Sequence, residues 1–256
     1  MRELREMWGN TRMVVLTAMC ASLYAAVLIP FMVVPLIPGV THFRPANALP
    51  VVCSFLFGPA AAWGAAIGNL IGDFFSGLGP GDLFGFLGNF LYALVPYRLW
   101  RACAAGEPVP TTLAGWLLFF LVIATASMLC AATVGFGLHL LGFVPFAVLG
   151  NVVLVNNLVT SSVLAPLLLA VLYPRVRRAR LLYTDVLGAD RRAPAWRRAA
   201  GVVLTIAGTA TAFAAGNLVS GGWLAPDFLA AAPASLRFVV LVLPGLLVAA
   251  GGLALL

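Results

Sequence analysis

Apolar residues run along the chain in long blocks, separated by short stretches that are polar or rich in Gly and Pro. A membrane-crossing helix needs roughly 20 mostly apolar residues, or about 17 at the short end. By that measure eight helices are predicted. The first spans Met13 to Pro30. Pro30, Pro35, Pro38 and Gly39 then break the pattern, so residues 31–47 read as a long, semi-apolar loop. The second helix, Ala48 to Phe57, is short; the pattern does not fix its start, and residues of the loop could belong to it. Gly58 ends it, and Pro59 suits the first turn of the third helix, Pro59 to Phe75. The loop SGLGPGD follows, with Asp82 placed to cap the fourth helix, Leu83 to Trp100. A polar connection containing Arg101 and Glu107 leads to the fifth, Thr112 to Leu141, long enough to tilt or to kink near Gly135 and Gly137. After a turn at 142–145 the sixth runs from Phe146 to Tyr173. Residues 174–199 are hydrophilic, and the seventh (Ala200 to Ser220) and eighth (Leu236 to Leu256) helices form a terminal hairpin. The expected fold is an all-α membrane protein: a six-helix core over 1–180, an Arg-rich linker over 181–199 and a two-helix hairpin over 200–256.

The polar positions inside these blocks are few, and they concentrate between Arg44 and Arg101. That stretch is apolar enough for a bilayer, yet it carries Arg44, Asn47, Asn69, Asp73, Asp82 and Asn89. Polar groups are costly in hydrocarbon, so they mark a site or a buried contact. The third helix also carries Ala60, Gly64, Gly68, Gly72 and Ser76, each four apart. This spacing puts small residues on one face, where another helix backbone can come close. The first helix has overlapping small-xxx-small pairs built from Ala18, Ala21, Ser22, Ala25 and Ala26. They serve either internal packing or a smooth surface for another membrane subunit.

Composition supports the membrane reading. The chain is 62% hydrophobic and 9% charged, against about 25% charged in a soluble domain. All 15 basic residues are Arg. With the N-terminus inside, thirteen of them (Arg2, Arg5, Arg12, Arg98, Arg101, Arg175, Arg177, Arg178, Arg180, Arg191, Arg192, Arg197, Arg198) fall on the cytoplasmic side, and only Arg44 and Arg237 fall outside. The positive-inside rule therefore sets the orientation, in the cell membrane with a cytoplasmic N-terminus. It also accounts for the net charge of +7 without a nucleic-acid partner. MRELREMWGNTR resembles the charged start of a signal peptide, but the apolar run behind it is too long and lacks a small-x-small cleavage site. A retained first helix is expected.

At about 1.5 Å per helical residue, this topology brings Asn69, Asp73, Asn89, Tyr92 and Asn151 to the outer half of the membrane. His139 reaches the outer end of the fifth helix, and Arg44 and Asn47 close the first loop. A cavity open to the outside and lidded by that loop would use all eight as substrate-binding residues. Each Asn could instead bond a neighbouring helix, and Asp73 could cap its helix or reach the interface. Asn156 and Asn157 are adjacent, so at most one is expected in the cavity and helix–helix contact is favoured. His42 and His139 are too isolated to define a metal site. The four cysteines, Cys20, Cys53, Cys103 and Cys130, are scattered singly and read as small buried hydrophobes. No Walker A loop, HExxH or GxSxG occurs, so neither ATP hydrolysis nor an enzyme is expected, and no metal or other cofactor. A membrane enzyme acting on an isoprenoid or lipid would need an acid/base cluster, which the sequence lacks; a stand-alone channel or structural membrane protein is the other alternative.

Six helices, a Pro-rich loop ending in FRPANALP, then LFGP, GNLIGD and DLFGFLGNFLYALVPYRLWR, resemble the substrate-binding S components of energy-coupling factor (ECF) transporters over about residues 13–180. The resemblance implies capture of a vitamin or related micronutrient from outside, with a coupling transmembrane T subunit and two ATPase subunits as partners. It also implies a toppling motion that carries the site inward. The alanine pattern that docks the T subunit would fall on Ala21 and Ala25, with Ala18 beside them. The pattern R-x-x-x-x-L from Arg44 to Leu49, with D-x-F-G at Asp82 to Gly85, is similar to the queuosine-precursor branch. That branch tends to carry an acidic residue after the arginine, where this chain has Ala46 and Asn47, so its substrate is not carried over. The two helices after the sixth depart from the family pattern.

Overall fold

Asn10 opens the first long helix: its Oδ1 accepts from the backbone N–H of Arg12 at 3.0 Å and of Met13 at 3.3 Å, satisfying amides that a helix start leaves unpaired. The structure is a computed structural model that describes residues 2–37, 41–104, 106–188, 193–224 and 231–256. A short helix α1 (Glu3–Glu6) precedes this cap, and α2 (Thr11–Leu28) follows it. A 3-10 turn over Ile29–Val33 leads into a small antiparallel hairpin, β1 (Pro35–Ile37) with β2 (Thr41–His42), closed by Phe43 N–H donating to the Val34 carbonyl at 2.8 Å. The expected loop is thus partly ordered as strands; Pro38 and Gly39 lie outside the described residues.

A further 3-10 turn, Pro45–Asn47, feeds α3 (Ala48–Phe57). Gly58 turns the chain with φ +52° against the Tyr183 ring, a conformation and a clearance that suit glycine. Then come α4 (Pro59–Ser76), α5 (Asp82–Cys103), α6 (Leu113–Leu140) and α7 (Phe146–Arg178). Here α7 runs past Tyr173 into the hydrophilic stretch 174–199, which also holds a short α8 (Tyr183–Leu187). Residues 189–192, with Arg191 and Arg192, lie outside the described residues. The hairpin consists of α9 (Ala195–Ser220) and α10 (Ala234–Leu255).

Among the described residues, five helices are long and apolar enough to cross a membrane: those over Thr11–Phe31, Leu113–Leu140, Phe146–Leu187, Ala195–Ser220 and Ala234–Leu255. The chain is a multi-pass, all-α membrane protein with one minor hairpin. The expected count of eight spans is not reached on length and composition. With its leading turn, α3 belongs to an apolar segment of only 13 residues, Pro45–Phe57. Asn69 and Asp73 in α4, and Asp82, Asn89, Arg98 and Arg101 in α5, dilute the apolar character of those two. Of these, Asn69, Asp73, Asp82 and Asn89 line one cavity.

Glycines set the closest helix contacts. A Cβ on Gly64 would stand 2.4 Å from the Cys20 Cβ, and one on Gly68 would stand 2.7 Å from the Ala21 carbonyl oxygen, so α2 and α4 meet backbone to backbone. The α9–α10 pair is built the same way, Gly208 against Ala249 and Gly252 against Thr205. This pair rests on α6 and α7, and polar bonds join it to the rest near both ends. At one end Ala147 N–H donates to Ser220 Oγ (3.2 Å) and Asn151 Nδ2 to Asn217 Oδ1 (2.6 Å). At the other, Arg98 Nη1 donates to the Leu253 carbonyl (2.6 Å) and Arg101 Nη2 to that of Leu256 (3.3 Å). Arg98, 1% exposed, also pairs with Glu3 at 2.6 Å, so one buried guanidinium ties α1 and α10 to α5.

Candidate ligand cavity

The break at Gly58 has a consequence for the polar residues. Because α3 has only ten residues, its N-terminus lies within the helix bundle, and Asn47 is 4% exposed. Irregular backbone at such depth is tolerated where protein or a cavity surrounds it. Here it borders a cavity of ≈380 Å³, lined by Arg44 and Asn47, by Asn69 and Asp73 on α4, by Asp82, Gly85 and Asn89 on α5, by Cys130, Val134 and Leu138 on α6, and by Leu149, Val153, Asn156 and Asn157 on α7. The loop over Gly77–Gly81 and Phe143 complete its mouth.

One chain of polar contacts crosses the upper cavity. Arg44 Nη1 donates to Asn69 Oδ1 at 3.0 Å, and Asn69 Nδ2 donates to Asp73 Oδ2 at 2.6 Å. Positions four apart on α4 stack on one face, which lets Asn69 bridge the guanidinium and the carboxyl group. Gly85 makes room for this pair: a Cβ there would stand 3.1 Å from Asn69 Nδ2 and 3.6 Å from Asp73 Oδ2. Arg44 Nε is buried without a partner among the described residues. At the mouth, Asp82 Oδ2 accepts from Gly79 N–H at 2.7 Å and holds the Gly-rich loop.

A second network forms the floor. The Tyr24 hydroxyl lies 2.9 Å from Asn47 Oδ1 and 3.0 Å from Asn89 Oδ1, and its single proton serves one of them at a time. Asn47 Nδ2 donates to Asn157 Oδ1 at 2.5 Å, and Ser161 Oγ donates to the Asn47 carbonyl at 3.1 Å. Asn89 Nδ2 donates to the Gly85 carbonyl at 2.9 Å. Burial, and then the charge of Arg44, hold the His42 imidazole in the loop below its usual pKa, which keeps it neutral at pH 7.

Of the eight residues expected from sequence, Arg44, Asn47, Asn69, Asp73 and Asn89 line this cavity. Tyr92 lies beneath it, its hydroxyl 2.5 Å from Ser161 Oγ and 3.3 Å from the Asn157 carbonyl. His139 and Asn151 do not line it and face the hairpin. The His139 ring lies 4.0 Å from that of Phe238, and its Nδ1 accepts from Phe146 N–H. Asn151 bonds Asn217. Both Asn156 and Asn157 line the cavity, where at most one was expected: Asn156 reaches the loop backbone at the wall and Asn157 reaches Asn47 at the floor. Asp82, Gly85 and Cys130 are further lining residues; Asp82 was one of the polar positions of the 44–101 stretch, and the D-x-F-G pattern was the one signal for Gly85.

The first helix carries both of the faces its small residues allowed. Ala21 and Ala25 are 4% and 5% exposed, and Ala21 faces Gly64 and Gly68 of α4. The outward face carries Val15, Ala18, Met19, Ser22, Leu23 and Ala26.

No group of His, Cys, Asp or Glu suited to a metal ion occurs among the described residues. A model of the QueT transporter family matches residues 14–174. Neither the curated proteins nor the solved structures contain a match.

Proposed function

The chain belongs to the QueT transporter family, S components of ECF transporters, and from that premise we propose that it captures a queuosine precursor in the cavity under Arg44 and hands it to an ATP-driven importer. The observation that carries this reading is the cavity itself, whose wall is amide-rich and whose upper edge holds a guanidinium and two carboxyl groups. A carboxamide presents a donor and an acceptor side by side and suits the edge of a flat nitrogen heterocycle. Asp73 and Asp82 can accept from an amine or ring N–H, and the unpartnered Nε of Arg44 can donate to a ring carbonyl. The volume of ≈380 Å³ fits a single small base under a lid. Ala46 and Asn47 stand where the branch tends to be acidic, and Asp73 and Asp82 offer acidic groups from α4 and α5 instead.

In this reading residues 1–180 form a six-helix core, the cavity faces outward, and the arginine-rich ends face the cytoplasm. The T subunit docks on the outward face of α2 at Ala18, Ser22 and Ala26, where a neighbouring helix can come close, and two ATPase subunits complete the importer. The chain itself acts as a transporter subunit and not as an enzyme.

The test is native mass spectrometry and calorimetry of the purified protein with queuosine-precursor bases. One base bound per chain, competed by its analogues and weakened by Asp73→Asn, is the expected result. Binding of an unrelated vitamin with no affinity for these bases would overturn the substrate class.

A further inference from the structure

Asn156 uses both ends of its amide on the loop. Its Nδ2 donates to the His42 carbonyl at 3.3 Å, and its Oδ1 accepts from the Arg44 N–H at 3.4 Å. In an extended chain the carbonyl of one residue and the N–H two residues on point to the same side, so one carboxamide can hold both, as a neighbouring strand would. Both contacts lie at the long end of the hydrogen-bond range. The next anchor along the loop is tighter: Asn47 is held at 2.5 Å by Asn157 and at 2.9 Å by Tyr24. The backbone of the loop is therefore pinned at Asn47 and held more weakly at His42–Arg44, where the Arg44 side chain adds its 3.0 Å bond to Asn69.

The position of Asn156 gives this clasp a purpose. It lies in the wall between the polar cavity and an apolar groove bordered by Leu36, Phe43, Val155 and Val159, and it lines both. Phe43 lies on the groove side and Arg44 on the cavity side of the same short segment. Releasing the clasp would move Arg44 off the cavity and open its side.

We propose that Asn156 is the latch of the cavity: a positioning residue that holds His42–Arg44 closed, keeps the Arg44 guanidinium over the site, and releases the segment to swing about Asn47. The purpose assigned to the latch rests on reading the cavity as the ligand site, but its test needs neither ligand nor transport.

Cys130 lines the cavity and is 2% exposed, which makes it a native reporter of opening. Cys20 and Cys53 are buried in the core, and Cys103 is exposed, so Cys103→Ser removes the one accessible thiol among the four cysteines. The full chain is purified in detergent, which leaves both ends reachable and makes the result independent of orientation. Methyl methanethiosulfonate, small and uncharged, is the probe, and peptide mass spectrometry reads each thiol. In the Cys103→Ser protein Cys130 reacts slowly. Adding Asn156→Ala speeds this about tenfold, the effect of losing two weak backbone contacts. The nearly isosteric Asn156→Asp keeps the acceptor for Arg44 N–H, loses the donor to His42, and gives an intermediate rate. Cys20 and Cys53 stay unreactive throughout. An unchanged Cys130 rate in either variant overturns the latch. So does acceleration of Cys20 and Cys53 together with Cys130, which would mark general loosening. Loss of base binding with the latch kinetics intact would count against the proposed substrate and not against Asn156.

Discussion

Gly68 of α4 stands so close to Ala21 of α2 that a Cβ built on the glycine would lie 2.7 Å from the alanine's carbonyl oxygen. The small residues at this crossing serve the interior. Enlarging them should break the α2–α4 contact before it touches any partner. Overpacking a tight core costs about 1–3 kcal/mol and occasionally more. Gly68→Leu and Ala21→Trp are expected to lower the thermal unfolding temperature in detergent, and to lose ligand binding with it. Native-like melting of both would mean that the two helices separate easily.

The outward stripe of the same helix makes the opposite expectation. Ser22 is exposed between Ala18 and Ala26. Ser22→Trp should leave folding and ligand binding intact, and should abolish copurification with a coexpressed T subunit. Retained copurification would move the docking surface to another helix.

These two predictions show what a sequence can and cannot say about such a chain. Apolar blocks of bilayer length made α2, α6, α7, α9 and α10 legible, and helical period placed Asn69 and Asp73 on one face. The facing of single side chains was not legible: His139 and Asn151 turn toward α9 and α10, whose docking position leaves no trace in the pattern. Two small-residue stripes overlap on α2, and period alone cannot tell which one faces in. Asn156 and Asn157 point about 100° apart on an ideal helix, and the cavity is wide enough to meet both.

Orientation can be read with two cysteines in a Cys103→Ser background. Gly79 has open space around it, and Arg178 is exposed at the end of α7. On intact cells an impermeant maleimide should label Gly79→Cys and spare Arg178→Cys until the membrane is opened. The reverse pattern would turn the cavity toward the cytoplasm.

The hairpin should come loose at its charged end first. Arg98 is buried between Glu3 and the Leu253 carbonyl. Removing one partner of a buried ion pair costs about 3–5 kcal/mol. A single interhelical bond such as Asn151–Asn217 is worth about 0.6–2 kcal/mol. Arg98→Met should therefore speed hydrogen exchange of the α10 amides strongly, and Asn151→Ala only slightly. Equal, small effects would mean that packing against α6 and α7 holds the hairpin without help from Arg98.

Ligand affinity should follow the polar chain across the upper cavity. Asn69 bridges Arg44 and Asp73, at 3.0 Å and 2.6 Å, and no direct ion pair joins the two among the described residues. The guanidinium and the carboxyl group either couple through that amide in the closed state or bind opposite ends of the base. Each hydrogen bond to an ionised group is worth about 1.5–3 kcal/mol, or roughly tenfold to a hundredfold in affinity. Arg44→Ala and Asp73→Asn should each weaken binding by that much, and Asn69→Ala by a similar factor, because it frees both neighbours. The three share one network, so their effects should not add. Arg44→Ala combined with Asn69→Ala should cost clearly less than the product of the single losses. Asn151→Ala, which faces α9, should leave affinity unchanged. Calorimetry on folded variants decides. Additive losses would show that Arg44 and Asn69 act on separate parts of the ligand, and full affinity in all three cavity variants would place the binding site elsewhere in the chain.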